Sequence, residues 1–157
     1  MTAIYLALPF PPSVNDSVDF GRNKQTGKVT AFESKSKRAF IKEADGMFMT
    51  QKRALMGQRI DGPFTYHLTL NELLRHPNSD GDNRQKYAID FLQRVGLITN
   101  DKYAMGGSWA WGPCEYPALI GVWPFDPDHQ EPVIRRVHET ASESAHDRSG
   151  QPVERTT

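Results

Sequence analysis

Alternation and helical repeat take turns along this chain, and their order predicts an α/β protein. From Thr2 to Leu8, Ile4, Leu6 and Leu8 alternate with small or amphipathic residues, the period of a strand. Pro9-Phe10-Pro11-Pro12 ends it, because proline has no N–H to give to a ladder. Phe40, Ala44, Met47 and Phe48 then recur at helical spacing and predict a helix from about Ser34 into the Leu55 region. Phe64, Tyr66, Leu68 and Leu70 alternate with Thr65, His67, Thr69 and Asn71, which reads as a half-buried strand. A polar turn, Arg75-His76-Pro77-Asn78-Ser79, follows. Tyr87, Ala88, Phe91, Leu92 and Val95 return to the helical repeat, with Gly96 as its left-handed cap. Tyr103 to Trp111 and Tyr116 to Trp123 read as two further strands around Gly112-Pro113, a hairpin candidate with Gly106-Gly107 as a bulge or bend. The pattern predicts one small α/β domain over residues 1–124, with a mixed sheet of about four or five strands and two main helices against it.

From Phe125 onward the texture changes to Pro, Asp, Glu, His, Ser and Arg. Residues 125–157 are expected to form a disordered tail, too poor in apolar groups to offset their ordering entropy. Val133-Ile134 and Val137 could supply one short helical turn. His129, His138 and His146 are scattered and read as solvent-exposed.

Charge refines this picture. The formal net charge is zero, which argues against a strongly basic nucleic-acid binder. The average hides an asymmetry: residues 1–124 carry 15 Lys and Arg against 12 Asp and Glu, and the tail carries 4 against 7. Residues 16–60 are the most basic part, with 10 cations against 5 acids. Arg22, Lys24 and Lys28 fall in a Gly-containing polar loop; Lys35, Lys37 and Arg38 open the first long helix. A solvated face is the default reading of such residues, and a surface for phosphates is the functional one. Cys114 is the only cysteine, which excludes an intrachain disulfide and fits a reducing cytoplasm. No signal peptide is read at the N-terminus, and no stretch is apolar enough to span a membrane. Trp109, Trp111 and Trp123 read as core or interface residues, with base stacking as the minority reading.

The candidate chemistry lies in Asp80-Gly81-Asp82-Asn83-Arg84-Gln85-Lys86, between the third predicted element and the helix after it. Two carboxylates this close repel unless a cation or a proton lies between them. Each residue also has a plain structural reading: Asp82 as a helix N-cap with Gln85 completing a capping box, Asp80 as a turn residue, and Lys86, Asp90 and Arg94 as a surface ladder of ion pairs. An EF-hand is excluded, since counting from Asp80 places Gln85 where the loop needs Gly and Phe91 where it needs a bidentate Glu. A further acid, Asp101, follows the helix and precedes the next strand. If that strand lies beside the 64–71 strand, Asp101 approaches Asp80 and Asp82, and three carboxylates make a hard oxygen site suited to Mg²⁺ or Mn²⁺.

With these residues the chain resembles the RusA-type Holliday junction resolvases of bacteria and their phages. The family pattern is Asp-x-Asp-Asn-x-x-Lys, a helix, then another Asp. Here it is met by Asp80, Asp82, Asn83, Lys86 and Asp101, the last acid 19 residues after the second. The family also opens with a strand running into Leu-Pro-aromatic-Pro-Pro-Ser-x-Asn, met here by Leu8 to Asn15. The resemblance spans Ile4 to Val122. It implies a RusA-like fold, a homodimer, and Mg²⁺-dependent hydrolysis of four-way DNA junctions in recombination, repair or phage DNA processing. Asp80, Asp82 and Asp101 would be metal ligands and Lys86 a catalytic cation. Asn83 and Asn15 would support the site, and the basic residues above, with Arg75, would meet DNA. A two-fold dimer also suits a junction with approximate two-fold symmetry. In one respect the chain departs from the family: members often carry a basic run just before the first acid, whereas here Arg75 and His76 lead into Pro77-Asn78-Ser79. That departure keeps open a second reading, a branched-DNA-binding module without catalysis.

The compositional boundary yields a direct test. Truncation from about residue 126 is expected to leave folding and activity intact, because the removed segment brings no core. Precipitation of the truncated protein, or a changed oligomeric state, would show that the tail docks.

Overall fold

In a computed structural model the described residues are 3–16 and 18–128; the tail beyond Asp128, with its three histidines and the Val133–Val137 segment, lies outside them. Among the described residues six strands and two α-helices follow in the order β1 (Ile4–Leu8), β2 (Val18–Arg22), β3 (Val29–Glu33), α1 (Lys35–Leu55), β4 (Phe64–Asn71), α2 (Gln85–Arg94), β5 (Ala104–Gly112) and β6 (Ala118–Pro124). Four strands form one mixed sheet in the order β1-β6-β4-β5, and β2 and β3 form a separate two-stranded ribbon. The predicted small α/β domain is therefore present, with a four-stranded main sheet and two helices.

Expectations in two regions are corrected. The strands flanking Gly112-Pro113 do not form a hairpin: β4 lies between them, antiparallel to β6 and parallel to β5. Adjacency in sequence suggested the hairpin, but Leu68 and Leu70 of β4 are fully buried, and a buried strand needs a ladder partner on each side to satisfy its backbone. The same central position explains why His67 and Thr69 are buried along with Leu68 and Leu70, so β4 is covered on both faces rather than half-buried. The second correction concerns Arg22, Lys24 and Lys28. The predicted loop is the β2–β3 ribbon, with Arg22 ending β2 and Lys24 and Lys28 in its turn.

Strand periodicity sorts the sheet into two faces. Register places Ile4, Leu6 and Leu8 opposite Val122, Ile120 and Ala118, which pair in turn with Tyr66, Leu68 and Leu70. These continue onto Gly107, Trp109 and Trp111 of β5. That face receives the helices. Phe91 of α2 meets Phe40 and Phe48 of α1 at ring-centroid distances of 6.2 and 6.4 Å. The expected bulge falls beside the glycine pair: Phe64 pairs with Ala104 but Thr65 with Gly106, so Met105 is the extra residue.

The ends of the helices are set locally. Ser34 caps α1, its side chain accepting from the Lys37 N–H at 3.2 Å. Gly96, at φ +79°, ends α2 in the left-handed region, as its sequence position predicted. No helix among the described residues is long and apolar enough to cross a membrane.

β1 is an edge strand, and α1 blunts it. Gln51 accepts from the Ala7 N–H at 2.9 Å and donates to the Ala7 carbonyl at 3.0 Å, taking the place of a missing neighbour. Gln51→Leu keeps the bulk but leaves both backbone groups unanswered, and is expected to cost about 1–3 kcal/mol in urea unfolding. An unchanged midpoint would show that water serves Ala7 equally well.

Candidate metal and phosphate site

The loop between β4 and α2 carries the acidic motif, and parallel pairing of β4 with β5 makes that loop a crossover. The crossover does not simply leave the sheet. Gly81 is packed against Trp109, which pairs with Leu68 in the middle of β4. A Cβ on Gly81 would lie 2.2 Å from Cζ3 of the indole, so only glycine fits. The chain thus doubles back over the helical face and holds Asp80 and Asp82 on either side of that contact.

A layer of side chains supports the loop. Trp109 meets Trp111 edge-on at 6.4 Å, and Trp111 stacks on Phe10 at 5.9 Å. Arg84 lies over Phe10 at 4.5 Å, donates to the Pro11 carbonyl, and donates to Ser79 Oγ at 3.0 Å. Burial pushes the Arg84 guanidinium below its ordinary pKa, and its Nε has no partner among the described residues. The proline-rich segment and the acidic motif are therefore parts of one assembly joined by Arg84, whose bond to Pro11 spans 73 residues of sequence. Arg75 sits over Trp111 at 5.7 Å. The 3₁₀ turn Val14–Asp16, which carries Asn15, lies beside the 3₁₀ turn Asp82–Arg84.

Within the motif, Asp80 Oδ2 accepts from Asn83 Nδ2 at 2.8 Å. A hydrogen bond shared with the Asp82 carboxyl holds the Asp80 carboxyl above the ordinary aspartate range, with partial desolvation and the Asp82 charge adding to the effect. Asp82 does not act as a side-chain cap for the turn it opens, nor does Arg84 for α2, so the capping-box reading is not realised. Gln85 instead donates to the Asp82 carbonyl at 3.3 Å and accepts from the Tyr66 hydroxyl at 3.1 Å.

Asp101 arrives from the other direction. It opens a 3₁₀ turn before β5, and its N–H donates to Gln93 Oε1 of α2 at 2.9 Å. Because Ala104 pairs with Phe64, Asp101 stands by the amino end of β4. There it lines a cavity of about 330 Å³ with Asp82, Lys86, Asp90, Tyr66 and Gln85. Asp82 is thus common to two groupings, the Asp80 pair and the Asp101 cavity. The three expected ligands do not close into one cluster: among the described residues no three His, Cys, Asp or Glu side chains are gathered to hold a metal ion. Asp80 lies on the far side of Gly81 from α2, and the Trp109 contact fixes that separation.

No protein-family model and no curated protein matches this chain.

Lys86 satisfies both of its readings. Its Nζ lies 3.2 Å from Asp90 Oδ1, the i, i+4 pair expected of a helix face, yet it also borders the Asp82–Asp101 cavity. The ladder stops there, since Arg94 pairs with Asp45 of α1 at 2.9 Å instead of with Asp90. On its other flank Lys86 borders a larger cavity, about 450 Å³, which Lys37 also lines. Lys37 is engaged with Glu33 at 2.7 Å, and the Lys35 N–H donates to Asp19 Oδ2 at 3.2 Å. Arg38 is exposed at the start of α1, and Arg22, Lys24 and Lys28 are exposed at the ribbon tip. The sequence reading missed Tyr66, Gln85 and Arg84 as parts of the site. Tyr66 looked like one more core residue of an alternating strand, and only pairing with Gly107, where a Cβ would lie 1.9 Å from the Tyr66 ring, shows how its ring reaches α2.

The donor set fits a hard divalent cation by chemistry: acidic oxygens, one pair of them mutually repelling. The expected Mg²⁺ ligands would be Asp80, Asp82 and Asp101, which stand here in two groupings that share Asp82. The raised Asp80 carboxyl gives the sign of a test. Its ionised form is disfavoured in the fold, so at neutral pH it costs stability that is recovered as pH falls through its raised pKa. Asp80→Asn is therefore expected to melt above the wild type in EDTA, and Mg²⁺ to raise the wild-type midpoint more than the variant's. A wild type whose midpoint ignores Mg²⁺ would count against a divalent-cation site.

Proposed function

We propose that this chain is a Mg²⁺-dependent endodeoxyribonuclease of the RusA type that resolves four-way DNA junctions as a homodimer in a reducing cytoplasm. The observation that carries this reading is the cavity in which Asp82, Asp101 and Lys86 meet, next to the Asp80–Asp82 pair. Neighbouring carboxylates are ill suited to holding DNA by charge alone. They suit a hydrolytic centre that must bring a cation and a phosphate together.

The roles divide by chemistry. The three aspartates would bind the cation, and Asn83, donating to Asp80, orients that carboxylate. When bound, Mg²⁺ supplies Lewis-acid polarisation of the scissile phosphate and acidifies a nearby water. Lys86, with its side chain 64 % exposed on a flexible stem, can turn from Asp90 to the phosphate and stabilise the negative charge that grows there. Tyr66 and Gln85 hold the first turn of α2, and with it Asp82, against the sheet. Arg75, Lys37, Arg38 and the ribbon cations would meet phosphates, the main source of affinity for DNA.

One observation favours the alternative, a branched-DNA-binding module without catalysis: the three carboxylates are not gathered into one cluster. Cleavage of a labelled mobile junction, mapped on all four strands with Mg²⁺ and with EDTA, separates the two. Paired cuts in opposed strands only with Mg²⁺ support the nuclease; binding without cuts supports the module.

Lys86 sharpens the test. If it serves only the Asp90 pair, Lys86→Ala costs under roughly 0.5 kcal/mol and leaves turnover alone. Facing the phosphate, the same change is expected to cut single-turnover cleavage about 10²-fold while junction affinity barely falls. Lys86→Arg should restore little, because a planar guanidinium places its charge differently. Near-normal cleavage by Lys86→Ala would return this residue to the helix surface.

A further inference from the structure

Among the described residues the β2–β3 ribbon pairs only with itself. Such an isolated ribbon is marginal in water unless something packs on it. Here nothing among the described residues covers its outer part: Phe20 is 73 % exposed and Val29 61 %. Register places Phe20 opposite Ala31, and Arg22 opposite Val29, so an apolar face runs out to a cationic end.

The tip is built and cationic. Asn23 Oδ1 accepts from the N–H groups of Gln25 and Thr26 at 2.8 and 3.1 Å, Gly27 takes φ +67°, and Arg22 Nε donates to the Gly27 carbonyl at 3.2 Å. From Phe20 to Phe32 there is no acidic residue. The two acids at the base are already engaged, Asp19 by the Lys35 N–H and Glu33 by Lys37. The base also reaches the candidate site. Val18, Ala31 and Phe32 line the larger cavity, whose far wall is Lys86 and Asp90, and these two residues border the carboxylate cavity as well.

We propose that this ribbon is a wedge for the DNA branch point: Phe20 stacks on the base pair exposed at the strand exchange, and Arg22, Lys24 and Lys28 hold the phosphates beside it. The proposal rests on the junction reading of the neighbouring carboxylates and names the feature that would tell a branch from a duplex. Base pairs at a branch lack a stacking neighbour, so an apolar ring inserts there at less cost than into continuous duplex. The surface suits a second copy of the chain less well. A two-fold contact through this face would bury three like charges from each copy, with no carboxylate on the outer ribbon to answer them.

The probe is a synthetic four-way junction carrying 2-aminopurine beside the exchange point, bound by full-length protein with Asp80→Asn to prevent cutting. Binding is expected to raise the fluorescence. Adding Phe20→Ala should abolish the rise and weaken junction binding by about ten- to a hundredfold, with affinity for linear duplex unchanged. Lys24→Ala with Lys28→Ala should reduce the slope of log affinity against log salt by about two. Near-ultraviolet dichroism checks that each variant is folded. Undiminished fluorescence and affinity in Phe20→Ala would overturn the wedge, as would a dimer-to-monomer shift on sedimentation, which would make the face an interface between copies. Failures of the two readings separate. If the wild type binds and unstacks the junction but never cuts it with Mg²⁺, the nuclease reading falls and the wedge stands. If it cuts, and Phe20→Ala cuts and unstacks equally well, the wedge falls and the nuclease stands.

Discussion

The contact between Trp109 and Gly81 fixes where the acidic motif can be. An indole on the middle of β5 meets bare backbone in the crossover loop, with no room for a single methyl group. Without that contact the loop after β4 would be free to leave the sheet at its carboxyl end. With it, the loop returns over the helical face and delivers the start of α2 above Tyr66. Trp111, Phe10 and Arg84 extend the same layer to the proline-rich segment, so the exit of β1 and the entry to α2 are braced against each other.

That brace explains how the fold tolerates unfavourable electrostatics. Asp80 and Asp82 oppose each other, and Arg84 is drawn partly out of water with one donor unmet among the described residues. Groups left to themselves would rotate away from such an arrangement. Here the backbone on both sides is pinned, by Gly81 under Trp109 and by Gln85 between Tyr66 and the Asp82 carbonyl. A perturbed carboxylate held by rigid packing is where a cation or a charged ligand has most to offer. Lys86 and Asp90, on the ridge between two cavities, form an ion pair exposed enough for Lys86 to exchange partners.

The local elements were legible from the chain. β1, α1, β4 and α2 fall where alternation and helical repeat place them, and Gly96 caps as its position predicts. The ribbon was not legible as strands. Its residues are exposed on both faces, so no apolar–polar alternation marks them, and its cations and glycines resemble a loop. The supposed 104–124 hairpin failed for a different reason. A turn such as Gly112-Pro113 says that the chain reverses, and says nothing about which strand fills the space between.

For the candidate site the division is similar. The sequence by itself determined which chemical groups are available: the Asp80–Asp82 pair, Lys86 one turn after Asp82, Asp101 ahead of β5, and a glycine between the two acids. Each follows from spacing within one segment, where a few covalent bonds limit the geometry. Only the tertiary structure decided which of them meet. Parallel pairing of β4 with β5 put Asp101 at the amino end of β4, and packing on Trp109 put Asp80 beyond Gly81, so Asp82 and Asp101 share a cavity that Asp80 does not line. Strand order and the shape of a buried contact depend on residues far apart in the chain, and no local period encodes them.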